Sequence, residues 1–161
     1  MQQAYPVIFT QDDDSIIVAF PDVPEAMTVG LNEAHALLQA EDALIVALSG
    51  YLEDKRDIPK PSKAKANQVV IVLPPLIASK LAIYQAMRDQ NVSQSALAHR
   101  LHCDARQVRR LLDLDHHSRM DLIDDALHEL GKKLVIDIRP LPLSITLQKK
   151  KIMGHVNHRA H

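Results

Sequence analysis

Residues 92–113, VSQSALAHRLHCDARQVRRLLD, restrict the fold of this chain more than any other stretch. Ser93 and Asp104 are residue types that cap helix N-termini, and each precedes a run with helical spacing of apolar residues. These caps predict one helix to about Leu101, a break at residues 102–103, and a second helix to about Leu112. Two short helices joined by such a turn form a helix-turn-helix unit. The side chains expected between them are Leu97, Ala98, Leu101, Val108, Leu111 and Leu112.

The second of these helices has the composition of a DNA-reading helix. In a helix-turn-helix unit, its N-terminal residues meet base edges in the major groove. Arginine can hold guanine and glutamine can hold adenine through two hydrogen bonds, so we expect base contacts from Arg106, Gln107 and Arg110. Arg109 and Arg100 are expected to contact phosphates. The exposed face also includes Ala105, and further phosphate contacts are expected from Ser93, Gln94 and Ser95.

One residue departs from the usual pattern of this unit, because His102 stands in the turn where glycine is common. Histidine tolerates a positive φ better than branched residues do, but less well than glycine. The competing interpretation is a helical hairpin with a basic, solvated face. A helix-turn-helix dimer predicts a two-fold related operator with half-sites roughly 34–36 Å apart.

The N-terminal part of the chain predicts a small α+β layer. Two short β-branched runs flank a polar turn, as in a hairpin, and a third strand is expected before Gly30. The β-β-β-α-β order covers about 70 residues, near the lower size for independent folding, so a partner can complete its burial. The expected strands are residues 5–10, 15–20, 26–29 and 69–73, the last returning to the same sheet, and an amphipathic helix runs from its cap Asn32 to Tyr51.

The rest of the chain predicts an all-α second domain. Pro74 and Pro75 suit the start of a helix that extends to about residue 90, and a last helix is expected over 120–130. Residues 134–138 predict a strand that pairs with its copy in a homodimer or tetramer. The predicted division is a domain at 1–73 with a linker at 59–67, a helix-turn-helix and dimerisation domain at 74–139, and a basic tail at 140–161.

Charge divides the chain in the same way. Residues 1–62 hold eleven acidic and three basic residues, a net charge of −8, whereas 63–161 hold sixteen basic and nine acidic residues, a net charge of +7. Each field attracts the opposite charge, so this asymmetry indicates two kinds of partner. The alternative is chance segregation of charge between two solvated surfaces.

Nothing in the sequence predicts a membrane or secreted protein. No apolar run approaches the roughly 18 to 20 residues that cross a bilayer, and the N-terminus lacks the pattern of a signal peptide. Cys103 is the single cysteine, which excludes an internal disulfide and suits a reducing compartment. We therefore expect a cytoplasmic protein without a membrane partner.

No residue set predicts catalysis, a metal or a cofactor. Three consecutive residues on a turn cannot all converge on one ion, so the cluster Asp12, Asp13 and Asp14 is better explained as a solvated turn. His99 and His102, like the adjacent His116 and His117, lack a third ligand at a convincing spacing. Cys103 has no paired histidine in a nucleophile pattern, and the chain has no glycine-rich phosphate loop. We expect no enzyme.

The order of these segments resembles one family. YPVIF, an acidic turn, SIIVAFPDVPEAMTVG, a helix of the form NEAHALLQAEDALIVALSGYLEDKRDIPKPS, and VVIVLPPLIASKLAIYQAMRD are similar to the HicB antitoxins. The continuation from SQSALAHRLHCDARQVRRLLD resembles the longer members, which end in a helix-turn-helix domain, and the resemblance covers roughly residues 4–138. Glu25 departs from the glycine common in relatives after the second proline.

The resemblance implies a fold, a partner and a function. It implies a partial ribonuclease-H-like N-terminal domain without the nuclease carboxylates. It also implies a HicA toxin, a small basic mRNA-cleaving ribonuclease that the antitoxin binds and blocks, and repression of the pair's own operon. A net charge of −8 matches a cationic RNA-binding surface. The surface expected to face the toxin comprises Asp12, Asp13, Asp14, Asp22, Val23, Glu25 and Met27.

Two other functions are compatible with the same features. One is a stand-alone helix-turn-helix transcription regulator whose acidic N-terminal module binds a small ligand. The other is a residual nuclease with Asp12, Asp13 and Asp14 as metal ligands, which requires magnesium-dependent cleavage by the purified protein alone.

Overall fold

A computed structural model describes residues 3–141 and shows a mixed α+β fold, as predicted. Most of the predicted tail at 140–161 lies outside the described residues. Within 3–141, no helix is both long and apolar enough to cross a membrane. The strands are β1 (Ala4–Pro6), β2 (Ile8–Asp12), β3 (Ser15–Ala19), β4 (Met27–Gly30) and β5 (Val70–Val72). The helices are α1 (Glu33–Glu53), α2 (Pro75–Asp89), α3 (Gln94–Arg100), α4 (Ala105–Leu112) and α5 (Met120–Glu129).

The strands form two small antiparallel sheets. β3 lies between β2 and β4 in a three-stranded sheet, in a register that pairs Phe9 with Val18 and Val18 with Thr28. β1 pairs with β5 in a separate two-stranded sheet. The prediction of a single strand over 5–10 is therefore wrong, because Val7 separates β1 from β2. The Val7 side chain is buried, and its N–H donates to the Val69 carbonyl at 3.0 Å. The prediction that residues 69–73 join the hairpin's sheet is wrong for the same reason.

Helix α1 covers one face of the three-stranded sheet. It begins where predicted, because the Asn32 side chain accepts a hydrogen bond from the His35 N–H at 2.9 Å. Its buried stripe packs against β3 and β4, and Gly30 at the end of β4 lets the two backbones approach closely near Ala36. The buried residues of the stripe are Ala36, Ala40, Leu44, Leu48 and Tyr51.

Two hydrophobic cores lie on either side of helix α2, which contributes to both. The first core holds the sheets and α1, and the second holds α3, α4 and α5. From α2, Ile77, Leu81 and Tyr84 enter the first core, and Ile83, Ala86 and Met87 enter the second. Leu114, just beyond α4, also packs in the first core. The division at 73/74 remains a prediction, and the two cores share a helix across it.

The caps predicted for α3 and α4 are confirmed. The side chains of Ser93 and Asp104 accept hydrogen bonds from the N–H groups of Ala96 and Gln107. Four residues, 101–104, separate the helices, and His102 adopts a φ of +52°, the conformation for which glycine is usually chosen. After α5, Gly131 turns the chain with a φ of +70°, as expected of a helix C-terminus.

Residues 134–138 form no strand within the described chain, so the prediction of a strand fails for the single molecule. Leu134 packs against the second core, whereas Val135, Ile136 and Ile138 are exposed. A strand requires a hydrogen-bonding neighbour, and neither of the two sheets formed by the described residues pairs with this segment. Pairing of this segment with the same segment of a second copy is a separate prediction.

Candidate functional site

Helix α4 carries a cationic surface, which we define as Arg106, Gln107, Arg109 and Arg110. All four are exposed, while Val108 and Leu111 on the opposite side are fully buried in the second core. Within residues 3–141, none of the three arginines forms an ion pair. Three unpaired guanidinium groups on one helix face are available to bind anions or base edges.

Both ends of α4 are held by side-chain hydrogen bonds. Asp104 caps its N-terminus, as described above. At its C-terminus, the Nζ of Lys80 on α2 donates to the carbonyls of Arg110 and Asp113, each at 2.7 Å. Lys80 was not anticipated from the sequence, because a lysine in an amphipathic helix is expected in solvent.

The other residues predicted to contact DNA differ in whether their side chains already form hydrogen bonds within the chain. Ser93 uses its hydroxyl oxygen to cap α3, which leaves the hydroxyl hydrogen available to donate. Gln94, Ser95 and Ala105 are exposed. Arg100 donates to the Glu129 carbonyl at 3.3 Å, so its guanidinium is tied to the end of α5 rather than free.

A second exposed surface lies on the side of the three-stranded sheet away from α1, and we call it the outer sheet face. Strand alternation and the pairing register bring Ile8 together with Met27, and Ile17 together with Val29. Met27 is 61% exposed, Val29 53% and Ile8 50%. Such contiguous apolar exposure marks interaction sites. The outer sheet face consists of Ile8, Thr10, Ile17, Ala19, Met27 and Val29.

Carboxylates flank the outer sheet face at both ends. Asp12, Asp13 and Asp14 form the exposed β2–β3 turn, where Asp13 has a φ of +47°, and none of them forms an ion pair within residues 3–141. The loop at the opposite end holds Asp22 and Glu25. The described part of the chain contains no group of His, Cys, Asp and Glu that could hold a metal ion.

The two carboxylates of the β3–β4 loop are engaged within the chain. Asp22 accepts from the N–H and hydroxyl of Ser62 at 2.8 and 2.9 Å. Glu25 accepts from the Tyr51 hydroxyl at 2.7 Å and from Arg56 at 3.1 Å. The Tyr51 hydrogen bond, aided by a backbone hydrogen bond and by Arg56, holds the pKa of Glu25 below its usual range. Glu25 therefore ties its loop to the end of α1.

Val23 does not belong to the surface predicted to face a partner. Its side chain is fully buried in the first core, so the interpretation of Val23 as an exposed anchor is wrong. The loop returns on itself, with the N–H of Ala26 donating to the Val23 carbonyl at 2.9 Å, and this turns the side chain inward. Ile8 and Val29 are the apolar residues that the sequence interpretation missed, and strand alternation through Met27 was the signal that could have found them.

Cys103 is not an activated thiol. Burial raises its pKa, with a smaller effect from Asp104, and the protonated thiol is a poor nucleophile.

Comparison with known proteins gives a consistent result. Residues 4–82 match a family model described as HicB_like antitoxin of bacterial toxin-antitoxin system. The chain is 38% identical over 130 residues to Antitoxin HicB 2 of Photorhabdus laumondii subsp. laumondii, a match that covers 81% of this chain and 92% of that protein. It is 35% identical over 131 residues to Antitoxin HicB of Escherichia coli strain K12, covering 81% and 95% of the two chains. Antitoxin HicB of Pseudomonas fluorescens is 32% identical over 129 residues, covering 80% and 88%.

Proposed function

Because the chain belongs to the HicB family of antitoxins, we propose that it binds and occludes a HicA-like mRNA-cleaving ribonuclease toxin and represses its own operon through a helix-turn-helix domain. Its relatives are antitoxins of toxin–antitoxin systems and not enzymes. A protein that meets a promoter and an mRNA-cleaving partner acts in the cytoplasm, where we propose that this chain works. The family match covers the acidic N-terminal module, so we do not retain the stand-alone ligand-sensing regulator or the residual nuclease.

One observation supports both halves of the proposal: the chain presents two unlike surfaces on different elements. The outer sheet face is apolar and flanked by Asp12, Asp13 and Asp14, whereas α4 presents three unpaired arginines. An apolar centre with a charged rim is the anatomy of a protein interface, and acidic residues steer a cationic partner towards it. Clustered arginines on one helix suit the DNA backbone and base edges.

For the toxin, we propose a contact centred on the outer sheet face. Met27 and Val29 supply its apolar centre, and the Asp12–Asp14 turn supplies the attraction. Glu25 contributes less to the attraction because the positive charge of Arg56 offsets its own. Asp22 keeps its charge, but its carboxylate is held by Ser62.

We expect a short reading frame that encodes a small basic protein next to this gene, and the toxin contact is tested with its product. Reversing Asp12, Asp13 and Asp14 to Lys slows association at low salt, while Val29→Asp speeds dissociation. Val46→Asp is the matched control, because Val46 is 72% exposed on α1, which covers the other face of the sheet. Unchanged rates and unchanged inhibition of RNA cleavage in both variants contradict this surface.

For the operator, we propose that Arg106, Gln107 and Arg110 read bases and that Arg109, Ser93, Gln94 and Ser95 contact phosphates, with Ala105 on the same face. Each bidentate base contact is worth about 1–3 kcal/mol of discrimination. The double variant Arg106→Ala, Arg110→Ala therefore loses its preference for the DNA upstream of its own gene over a shuffled duplex. Lys63→Ala, Lys65→Ala removes the same charge from the 59–67 connection and retains the preference. Unchanged footprints in the arginine variant would remove α4 from the contact.

We also propose that residues 134–138 pair with the same segment of a second copy, forming a dimer. Extended, the segment places Leu134, Ile136 and Ile138 on one side, and Ile138 is 90% exposed in the single chain. An antiparallel pair centred on Val135 sets Lys133 opposite Asp137 of the partner subunit, whereas a pair centred on Ile136 sets Lys133 against Arg139 of the partner subunit. Opposite charges favour the first register, in which Asp137 adds this partner to its ion pair with Arg139 of its own chain.

The dimer is tested by exchanging the charges of this register. Lys133→Asp weakens the dimer, and Lys133→Asp, Asp137→Lys restores it, as measured by sedimentation. A monomeric wild-type chain, or a double variant as weak as the single one, contradicts the pairing.

A further inference from the structure

Lys80 is the one fully buried charged residue in the part of the chain that the structure describes. Around the axis of α2, it lies between the side that enters the first core and the side that enters the second. Burying an ammonium group costs several kcal/mol unless hydrogen bonds and opposite charge offset the loss of water. An apolar residue of similar length would avoid this cost, so the lysine calls for an explanation other than filling space.

The hydrogen bonds of Lys80 all go to the end of α4. Its Nζ donates to the Arg110 and Asp113 carbonyls at 2.7 Å each. These carbonyls lie at the end of the helix, where backbone oxygens lack intrahelical partners and the helix dipole favours a cation. The Asp113 N–H and the Ser118 hydroxyl also donate to the Arg110 carbonyl, at 3.3 and 3.4 Å, and the His116 N–H donates to the Asp113 carbonyl at 3.2 Å. Lys80 makes the shortest of these contacts.

The kind of restraint that Lys80 supplies differs from that of the core. Val108 and Leu111 attach α4 to the second core through apolar contacts, which tolerate small rotations and translations. Hydrogen bonds restrict both distance and angle. With Asp104 capping the other end, Lys80 fixes where α4 stands along and around its axis. The carbonyl that it holds belongs to Arg110, one of the proposed base-reading residues.

We propose that Lys80 is a positioning residue for operator recognition: it sets the pose in which α4 presents Arg106, Gln107 and Arg110 to base edges. The inference rests on the proposed operator binding. Bidentate contacts require side chains held within about 0.5 Å of the productive geometry, whereas attraction to phosphates depends on charge and tolerates displacement. Loss of Lys80 should therefore lower sequence preference and leave non-specific DNA binding intact.

The experiment compares full-length wild type with Lys80→Met, which keeps the side-chain length and removes the charge and donors. Binding is measured to the duplex upstream of this gene and to a shuffled duplex, over a salt series and well below the unfolding temperature. The expected result is a loss of about tenfold in preference, as from one base contact, with shuffled-duplex affinity and salt slope unchanged. A residue needed only for folding would not separate the two affinities.

Ile123→Val is the matched control, because Ile123 is fully buried in the second core on α5 and its shortening makes a mild cavity. It is expected to keep the wild-type preference. A Lys80→Met preference within twofold of wild type, or a loss equal to that of Ile123→Val, overturns the proposal. If Lys80→Met shows no cooperative unfolding, Lys80→Gln is judged by the same criterion. A wild-type chain without any preference overturns operator binding itself, and the role of Lys80 with it.

Discussion

Gly30→Ala tests the contact on which the N-terminal layer depends. Gly30 ends β4 at the place where α1 crosses it, and a Cβ added there would lie 2.4 Å from the backbone nitrogen of Ala36 and 2.5 Å from its Cα. Carbon atoms in contact normally lie about 3.5–4.0 Å apart. The neighbouring atoms belong to a helix backbone and cannot rotate away, so α1 must move by about 1 Å or more to accept the methyl group.

The cost follows from that displacement. Overpacking a core costs typically 1–3 kcal/mol, and a clash with backbone lies at the upper end, so we expect a loss of about 3 kcal/mol. For a chain of this size, that lowers the melting temperature by about 10 °C. Gly50→Ala is the matched control, because Gly50 lies inside α1 with nothing within 4 Å of its added Cβ. There, alanine gains up to about 1 kcal/mol from helix propensity and raises the melting temperature by about 3 °C.

Thermal unfolding followed by circular dichroism distinguishes the two substitutions. The reasoning fails if Gly30→Ala melts at or above the wild-type temperature, since α1 would then accept the methyl group without cost. It also fails if Gly50→Ala destabilises as much as Gly30→Ala, because the effect would then come from replacing glycine rather than from the close approach.

Three further outcomes are expected. Burial lowers the pKa of Lys80 from 10.5 to about 8, so between pH 8 and 10.5 the folded chain binds fewer protons than the unfolded chain. The free energy of unfolding of the wild type, measured with urea, should therefore rise relative to that of Lys80→Met from pH 8 towards 10.5. A difference between the two proteins that does not change with pH contradicts this. In Tyr51→Phe, the Glu25 carboxylate loses its principal donor and its pKa should rise in an NMR titration, while an unchanged pKa shows that the Tyr51 hydroxyl does not lower it. Asn32→Ala should lower the free energy of unfolding, measured by chemical denaturation, by about 1 kcal/mol, because the capping hydrogen bond is lost. Asn32→Asp keeps a capping oxygen and should lower it little, so equal losses in the two variants refute the cap.

Sequence alone predicted the parts of the fold that local chemistry determines. A capping side chain bonds to an N–H within three residues, so Asn32, Ser93 and Asp104 mark helix starts without reference to the rest of the molecule. The positive φ of His102 follows from its place between two such helices. The exposed face of α4 followed from the same helical periodicity, which buries Val108 and Leu111.

The features that were missed depend on partners distant in sequence. The sequence of residues 5–10 predicts one strand, yet β1 and β2 belong to different sheets. The reason is that β5, about sixty residues later in the chain, pairs with β1 and not with β2. Val23 lies between two prolines in a polar loop, where an exposed side chain was expected, and only the folded loop turns it into the core. Residues 134–138 have the composition of a strand, but a strand needs a neighbour, and none is found among residues 3–141.

Lys80 shows most clearly why composition along one helix is insufficient. By its own sequence, α2 is an apolar helix with one lysine, and an isolated lysine there is expected to reach solvent. Its burial becomes tolerable because the carbonyls of Arg110 and Asp113, about thirty residues away at the end of α4, still have acceptor capacity and accept from its Nζ at 2.7 Å each. The helix end satisfies the ammonium group, and the ammonium group satisfies the helix end. Neither α2 nor α4 reveals this requirement alone, so the restraint on the cationic surface is a property of their packing and not of either sequence.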